Sequence, residues 1–130
     1  MSATLGGKAA AATIAVKDFA AARKFYEEVL GLKVVHVDEE TGVADFMSGP
    51  SNVLVYRSEF AGTNKATSAT WGVGDDLEAI VTDLQARGVA FEHYRDLPGL
   101  TLNGEIHEAG DFKGAWFKDP DGNILHIHNM

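Results

Sequence analysis

The feature that most constrains the fold of this chain is an internal repeat at an offset of 57 residues. Three identities mark equivalent positions in the two copies: Val16 and Val73, Asp18 and Asp75, and Gly31 and Gly88. In each copy a short β-rich segment precedes an amphipathic pattern, and that pattern stops at the glycine. Glycine is favoured just after a helix because it adopts positive φ without strain. The chain is therefore expected to build the same unit twice.

Each copy contains one predicted helix. Asp18 is placed to cap the first helix, and Asp75 or Asp76 to cap the second. The apolar residues of both helices recur three and four positions apart: Ala22, Phe25, Tyr26, Val29 and Leu30 in the first, and Leu77, Ile80, Val81 and Leu84 in the second. This spacing places the apolar side chains on one face, so both helices are expected to pack against a sheet.

Short β-rich segments surround each helix. The predicted strands are 11–16, 33–37, 43–47 and 52–57 in the first copy, and 68–73, 89–94, 113–118 and 124–128 in the second. Each copy thus has the order βαβββ, with module one at about 9–58 and module two at about 66–129, in one domain covering 1–130. Residues 1–8 are expected to be a mobile lead-in. Residues 95–111 are expected to be an insertion that can fold over a pocket.

Two motifs carry a family resemblance. The first runs from Val16-Lys17-Asp18 through Phe25-Tyr26 to Leu30-Gly31-Leu32, and the second is the segment from Trp116 to Asn123, which contains Asp119-Pro120-Asp121-Gly122. In this order the motifs resemble the vicinal oxygen chelate superfamily, which includes glyoxalases, bleomycin-resistance proteins and extradiol dioxygenases. The resemblance implies an α+β fold in which two βαβββ modules form a curved mixed sheet, with helices outside and a concave ligand cavity.

The resemblance also identifies the positions where metalloenzymes of that superfamily hold their ion. Here those positions carry Ala11, Ser68, about Val55 (Tyr56 if the register slips by one) and His126. Methyl, hydroxyl and isopropyl groups cannot replace imidazole or carboxylate ligands around a divalent ion. We therefore expect no standard metal site and no cofactor.

Alternation along the strands predicts which side chains face the cavity. Thr13, Ser68, Thr70, His126 and His128 have the inward parity, and the resemblance adds Val55. The expected ligand-binding set also includes His107 of the insertion and Trp116, which lies either in the core or on the cavity wall. They favour a metal-free protein of the bleomycin-resistance type that binds a small planar or hydrophobic ligand, a function in antibiotic resistance.

The alternative is an enzyme of the same fold, an isomerase, lyase or hydrolase. His126 would transfer protons there, together with a carboxylate from Glu108 or Asp111. A variant of this alternative holds a nonstandard metal on His126 and His128, with a third ligand from His107, Glu105 or Glu108.

Charge and composition narrow the partners. The formal net charge of −8 disfavours nucleic acid and anionic membranes, and it favours a cationic ligand. The chain has no cysteine, which suits a reducing cytoplasm, and no apolar stretch long enough to span a bilayer. The expected partners are a small molecule and a second copy of the chain, because isolated modules leave sheet edges open.

Overall fold

The computed structural model describes residues 5–130, which form two modules of one helix and one sheet each. Module one contains β1 (Ala12–Val16), α1 (Phe19–Lys24), β2 (Lys33–Asp38), β3 (Val43–Ser48) and β4 (Ser51–Arg57). Module two contains β5 (Thr67–Gly72), α2 (Leu77–Ala86), β6 (Thr101–Asn103), β7 (Ile106–Ala109), β8 (Phe112–Lys118) and β9 (Ile124–His128). The predicted α+β fold with a duplicated module is confirmed. Of the predicted lead-in, residues 1–4 lie outside the described residues.

The two sheets repeat one topology. Sheet one has the order β1-β4-β3-β2 and sheet two the order β5-β9-β8-β7-β6, with the first pair parallel and the remaining pairs antiparallel in both. β7 therefore occupies in module two the place that β2 has in module one. The strand predicted at 89–94 is wrong, since this stretch makes only an isolated bridge from Phe91 to Phe117. The insertion instead supplies β6 and β7, which extend the sheet.

The helices begin differently although both end at a glycine. The Asp18 side chain accepts a hydrogen bond from the Ala21 N–H at 3.0 Å, as predicted for a cap. The predicted cap by Asp75 or Asp76 is wrong, because α2 begins through the 3-10 turn Gly74–Asp76 without a side-chain cap. Beyond α1, Phe25–Val29 continue as a π-helical turn. Gly31 and Gly88 have φ values of 74° and 93°, which a β-carbon would disfavour.

One buried core joins the two modules. The helices cover one face of each sheet, and the buried apolar residues of both modules form a single cluster. Its largest fully buried apolar members are Tyr26, Phe46, Phe117, Ile14 and Leu125. No helix in the described part of the chain is long and apolar enough to cross a membrane.

A buried polar network ties module one to the turn between β8 and β9. The Tyr26 hydroxyl donates to Asp119 Oδ2 at 2.8 Å, and the Asn123 side-chain amide donates to the same oxygen at 2.8 Å. Asp119 Oδ1 accepts from the backbone N–H groups of Asp121 and Asn123. The Asn123 amide also donates to the Ala15 carbonyl of β1 at 2.7 Å. The two family motifs are therefore partners in one junction.

This junction predicts a stability difference between two matched variants. Burial and the Asp119 carboxylate raise the pKa of Tyr26, so its hydroxyl remains a donor at neutral pH. Tyr26→Phe should lower the free energy of unfolding by about 1–3 kcal/mol, since it leaves a buried acceptor short of one bond. Tyr56→Phe, at a tyrosine that is 39% exposed, should change it by less than about 0.5 kcal/mol. Urea denaturation measures both, and equal effects would contradict the role of the junction.

Candidate functional site

The face of each sheet that turns away from the helices is called here its open face. On β9, Leu125 and Ile127 are buried against the core, whereas Ile124, His126 and His128 lie on the open face. The pairing of β9 with β5 and β8 brings His126 beside Thr70 and Trp116. The sheet register therefore brings these three side chains together on the open face.

His126 is held by a stacked ring, a hydroxyl and a glycine. Its imidazole stacks on the Trp116 indole, with ring centroids 4.2 Å apart and an interplanar angle of 13°. Thr70 Oγ1 lies 3.0 Å from His126 Nδ1, at hydrogen-bond distance. A β-carbon on Gly114 would lie 2.6 Å from His126 Nε2, so the ring requires glycine there. The imidazole is therefore fixed in one orientation.

More rings surround this pair on the open face. Phe112 lies 6.2 Å from His126 and 6.3 Å from His128 between ring centroids, and the two imidazoles are 5.3 Å apart. On the other side of the indole, Tyr94 approaches Trp116 edge-on at 5.6 Å. The result is an aromatic and imidazole surface across β8 and β9, suited to planar molecules.

A cleft of about 410 Å³ opens beside this surface. Its walls come from the strands, from the insertion and from the segment between the modules: Trp116, Ile124, Tyr94, Leu97, Lys65, Ala66 and Thr67. The Trp116 Nε1–H donates to Thr67 Oγ1 at 3.2 Å, which fixes the indole at the edge of the cleft. The insertion therefore contributes Leu97 to the wall of the cleft, next to Tyr94, which directly precedes the insertion.

Burial makes His126 a weak base. Loss of solvent is the largest cause, and together with the neighbouring His128 and His107 it lowers the pKa of His126 from 6.5 to about 4. The imidazole is therefore neutral at physiological pH. Its Nε2 atom is buried and has no hydrogen-bond partner among the described residues. This atom points over Gly114, and His126 is not among the residues that line the cleft.

His107 does not line the cleft as predicted. It pairs with Gly114 and so lies on the open face, but it is fully buried there, and its Nε2 accepts the Tyr94 N–H at 2.9 Å. Its ring also meets Trp116 edge-on at 4.9 Å. Burial lowers the pKa of His107, which favours the neutral ring that accepts this bond. Through these two contacts, His107 holds the Tyr94 backbone and the Trp116 ring in position.

The predicted inward position of Val55 is wrong. Val55 is fully buried in the core, because it pairs with Ile14 on the helix-facing side of β1. Thr13 pairs with Leu54 just as Thr70 pairs with His126, so Leu54 is the counterpart of His126 in module one. The alternative Tyr56 lies on the open face at the place equivalent to His128.

These positions do not fit the metal that the family resemblance implies. The four equivalent positions become Ala11, Leu54, Ser68 and His126, and only His126 carries a group that ligates a divalent ion. For the nonstandard alternative, no three His, Asp or Glu side chains between residues 5 and 130 form a group able to hold a metal. Glu105, one suggested third ligand, lies 2.8 Å from His93 Nε2 instead.

The carboxylates suggested as catalytic partners of His126 lie elsewhere. Glu108 pairs with Lys113, whose ammonium approaches Glu78 of α2, so Glu108 is on the helix-facing side of β7. Asp111 is exposed in the turn before β8, and its backbone carbonyl accepts from the Asn129 side chain. Neither carboxylate therefore faces the imidazole. Successive residues of a strand point to opposite faces, so Glu108 lies on the face opposite to that of His107 and His126.

The remaining predicted residues lie at the margin of the site. Thr13 is exposed on the open face of module one, where its hydroxyl donates to the Ala11 carbonyl at 3.2 Å. Ser68 is half-buried at an irregularity in β5. Neither Lys65 nor Leu97 belongs to a periodic segment, so the sequence pattern does not mark them as lining residues. The glycines and the proline near Leu97 were the available signal.

The family model described as the Glyoxalase/Bleomycin resistance protein/Dioxygenase superfamily matches residues 8–127. The chain belongs to this superfamily.

Three solved structures show the shared fold. An integron cassette protein from the mobile metagenome of the Halifax Harbour sewage outfall is 17% identical, with a TM-score of 0.71 over 95% of this chain and 99% of that one. A lactoylglutathione lyase from Agrobacterium tumefaciens is 18% identical, with a TM-score of 0.69 over 95% and 94%. The fosfomycin resistance protein FosX from Mesorhizobium loti is 14% identical, with a TM-score of 0.67 over 95% and 92%.

The lowered pKa of His126 predicts a dependence of stability on pH. The unfolded chain binds a proton near pH 6.5 and the folded protein only near pH 4, so unfolding takes up a proton between these values. The free energy of unfolding should therefore fall as the pH decreases from about 6.5 to about 4, and His126→Asn should reduce this dependence.

Imidazole NMR titration checks the prediction directly. The His126 signal should titrate near pH 4 in the folded protein and near pH 6.5 in urea. A folded-state midpoint at or above 6.5 would show that His126 is solvated, contrary to its position against Trp116.

Proposed function

We propose that this protein binds a small planar molecule in the cleft beside Trp116 and His126 and holds it without chemical change. The observation that carries the proposal is the rigid Trp116–His126 stack at the edge of a cleft of about 410 Å³. Binding sites for small molecules typically combine such apolar walls with a few oriented polar groups. Here the polar groups that line the cleft are the Lys65 ammonium and the Thr67 hydroxyl, which holds the Trp116 indole.

The local charge favours a neutral or anionic ligand over the cation expected from the net charge. Among the described residues that line the cleft, Lys65 is the only charged one. The Lys65 ammonium attracts an anionic group of a molecule bound in the cleft at short range. The attraction or repulsion from acidic residues elsewhere is screened by salt, because the Debye length is about 8–10 Å. We therefore place an aromatic ring against Trp116 and any anionic group toward Lys65.

Binding is favoured over catalysis by the environment of His126. A general base works best with a pKa near the operating pH, and burial holds the pKa of His126 at about 4. The candidate carboxylates do not face it, and the family's metal-ligand positions carry unsuitable side chains. The unpartnered Nε2 supports a second candidate, in which His126 transfers a proton to or from a bound substrate.

The biological form of this activity would be sequestration. The family description includes bleomycin resistance proteins, and the FosX structures are those of fosfomycin resistance proteins. We propose that this chain acts in resistance by retaining a toxic small molecule in the cytoplasm. The absence of cysteine is consistent with a reducing compartment.

A series of naphthalene derivatives tests the proposed ligand class. Calorimetry with 2-naphthoate, 2-naphthamide and 2-naphthylmethylamine should give tightest binding for the anion and weakest for the cation. Trp116→Ala should weaken 2-naphthoate binding by about five- to tenfold, because an aromatic contact of roughly 1–1.5 kcal/mol is lost. Tyr56→Ala, on the open face of module one, should leave it unchanged.

Two further variants refine this test. Lys65→Gln should remove the preference for the anion while the neutral amide still binds. His126→Asn should weaken binding by about fivefold, because the ring stacked on Trp116 is lost, with no turnover in either protein. Turnover of a cleft ligand that falls about 100-fold in His126→Asn would instead establish the second candidate. Equal affinity of Trp116→Ala and the parent protein for all three compounds would contradict the proposed site.

We also propose that the protein is a homodimer. The open face of module one carries exposed apolar side chains, with Val35 54% and Tyr56 39% exposed. A partner covering this face would remove apolar area from water. Light scattering at micromolar concentration should give about twice the chain mass of 13.9 kDa. Val35→Lys should shift the protein toward monomer, and a monomeric parent protein would refute the proposal.

A further inference from the structure

A second cavity lies on the helix-facing side of the sheet of module two, between the modules. Its volume is about 160 Å³, and we call it the crevice. Module one contributes Leu30, Leu32 and Ser48 to its lining, and module two contributes Trp71, Val73, Ile80, Leu84, Phe117 and Ile127. The crevice is separate from the cleft because the core-facing side chains of β8 and β9 line it, whereas Trp116 and Ile124 line the cleft.

The chemistry of the lining is almost entirely apolar. Its two side-chain polar groups satisfy each other, since the Trp71 Nε1–H donates to Ser48 Oγ at 2.8 Å. No charged residue is among the side chains that line the crevice. A water molecule needs two to four polar partners, and cavities of about 150 Å³ lined by Leu, Ile and Phe stay dry and bind benzene. The crevice therefore offers a site for an apolar molecule and little for water.

We propose that the crevice binds a small uncharged aromatic molecule, about the size of a monosubstituted benzene. The volume suits one ring, and the indole of Trp71 supplies an aromatic wall. Half-buried side chains such as Trp71, Val73 and Ile80 leave the crevice accessible from outside the core. This inference does not depend on the function proposed for the cleft, because the two cavities lie on opposite faces of the sheet.

An occupied crevice would connect the modules. Its lining comes from both, so a molecule in it touches side chains that separate when the modules part. Such a ligand binds the folded chain and not the unfolded one, and it stabilises the native state as its concentration rises above its dissociation constant. The crevice thus acts as a site where a small hydrophobic molecule strengthens the module contact.

The two tryptophans allow a direct test with bromobenzene, whose heavy atom quenches indole fluorescence on contact. Trp116→Phe leaves Trp71 as the single tryptophan of the chain. In that protein, bromobenzene should quench Trp71 emission with a saturable curve and should raise the melting temperature. Purely linear quenching without saturation, or an unchanged melting temperature, would overturn the proposal.

A filling variant and a matched control locate the binding. Ile80→Phe, at a lining residue, should weaken bromobenzene binding by about tenfold or more because the added ring atoms occupy the crevice. Val43→Phe, on the open face of module one, should leave it unchanged. Unaltered affinity in a folded Ile80→Phe protein would refute the assignment, as would an equal loss in Val43→Phe.

Crystals of the parent protein with bromobenzene keep the test decisive if Ile80→Phe fails to fold. Anomalous scattering should place bromine within contact distance of Trp71 and Leu84. Bromine only beside Trp116, or none at a concentration that saturates the quenching, would refute the proposal. Either of these results would leave 2-naphthoate binding at the cleft as a separate question, answered by its own variants.

Discussion

The buried carboxylate of Asp119 is the interaction on which the arrangement of the two modules depends. A carboxylate removed from water is costly unless its oxygens are hydrogen-bonded, and Asp119 meets four donors from Tyr26, Asn123 and two backbone N–H groups. Tyr26 belongs to module one and Asn123 reaches the Ala15 carbonyl of β1, so the donors come from both modules. Tyr26, Asp119 and Asn123 of the family motifs thus act at the junction, and their presence implies the fold rather than any activity.

The helices, the glycines and most strands could be predicted from the sequence because each leaves a local signature. Gly31 and Gly88 end helical patterns at positive φ, and β9 alternates buried and half-buried residues over its whole length. The position of Val55 could not be read in this way. Strand periodicity is two, so an error of one residue reverses the face, and only the pairing of Thr13 with Leu54 fixes the register. The strands of the insertion were missed because β6 and β7 are short and one edge of the pair depends on β8 for its hydrogen bonds.

The site shows the same division between local and tertiary information. His126 and Trp116 were found because alternation and a motif mark them, whereas Lys65 and Leu97 reach the cleft only through the path of their loops. The prediction that the Glu108 carboxylate assists His126 required the two side chains to share a face of the sheet. The sequence of the insertion does not show which face Glu108 occupies. Net charge likewise does not tell which charged side chain borders the cleft, and that position is occupied by Lys65.

Duplication supplied two equivalent scaffolds, and the side chains on their open faces have diverged. At matched places, module one carries Leu54 and Tyr56 where module two carries His126 and His128. Thr13 and Thr70 are retained in the same register, but only Thr70 has an imidazole to contact. The hydrogen bond that orients His126 therefore has no equivalent in module one, where Asn52 instead donates to Asp45 on the open face. A repeat that is symmetric in backbone thus carries the imidazole pair, and the hydrogen bond that orients it, in one copy only.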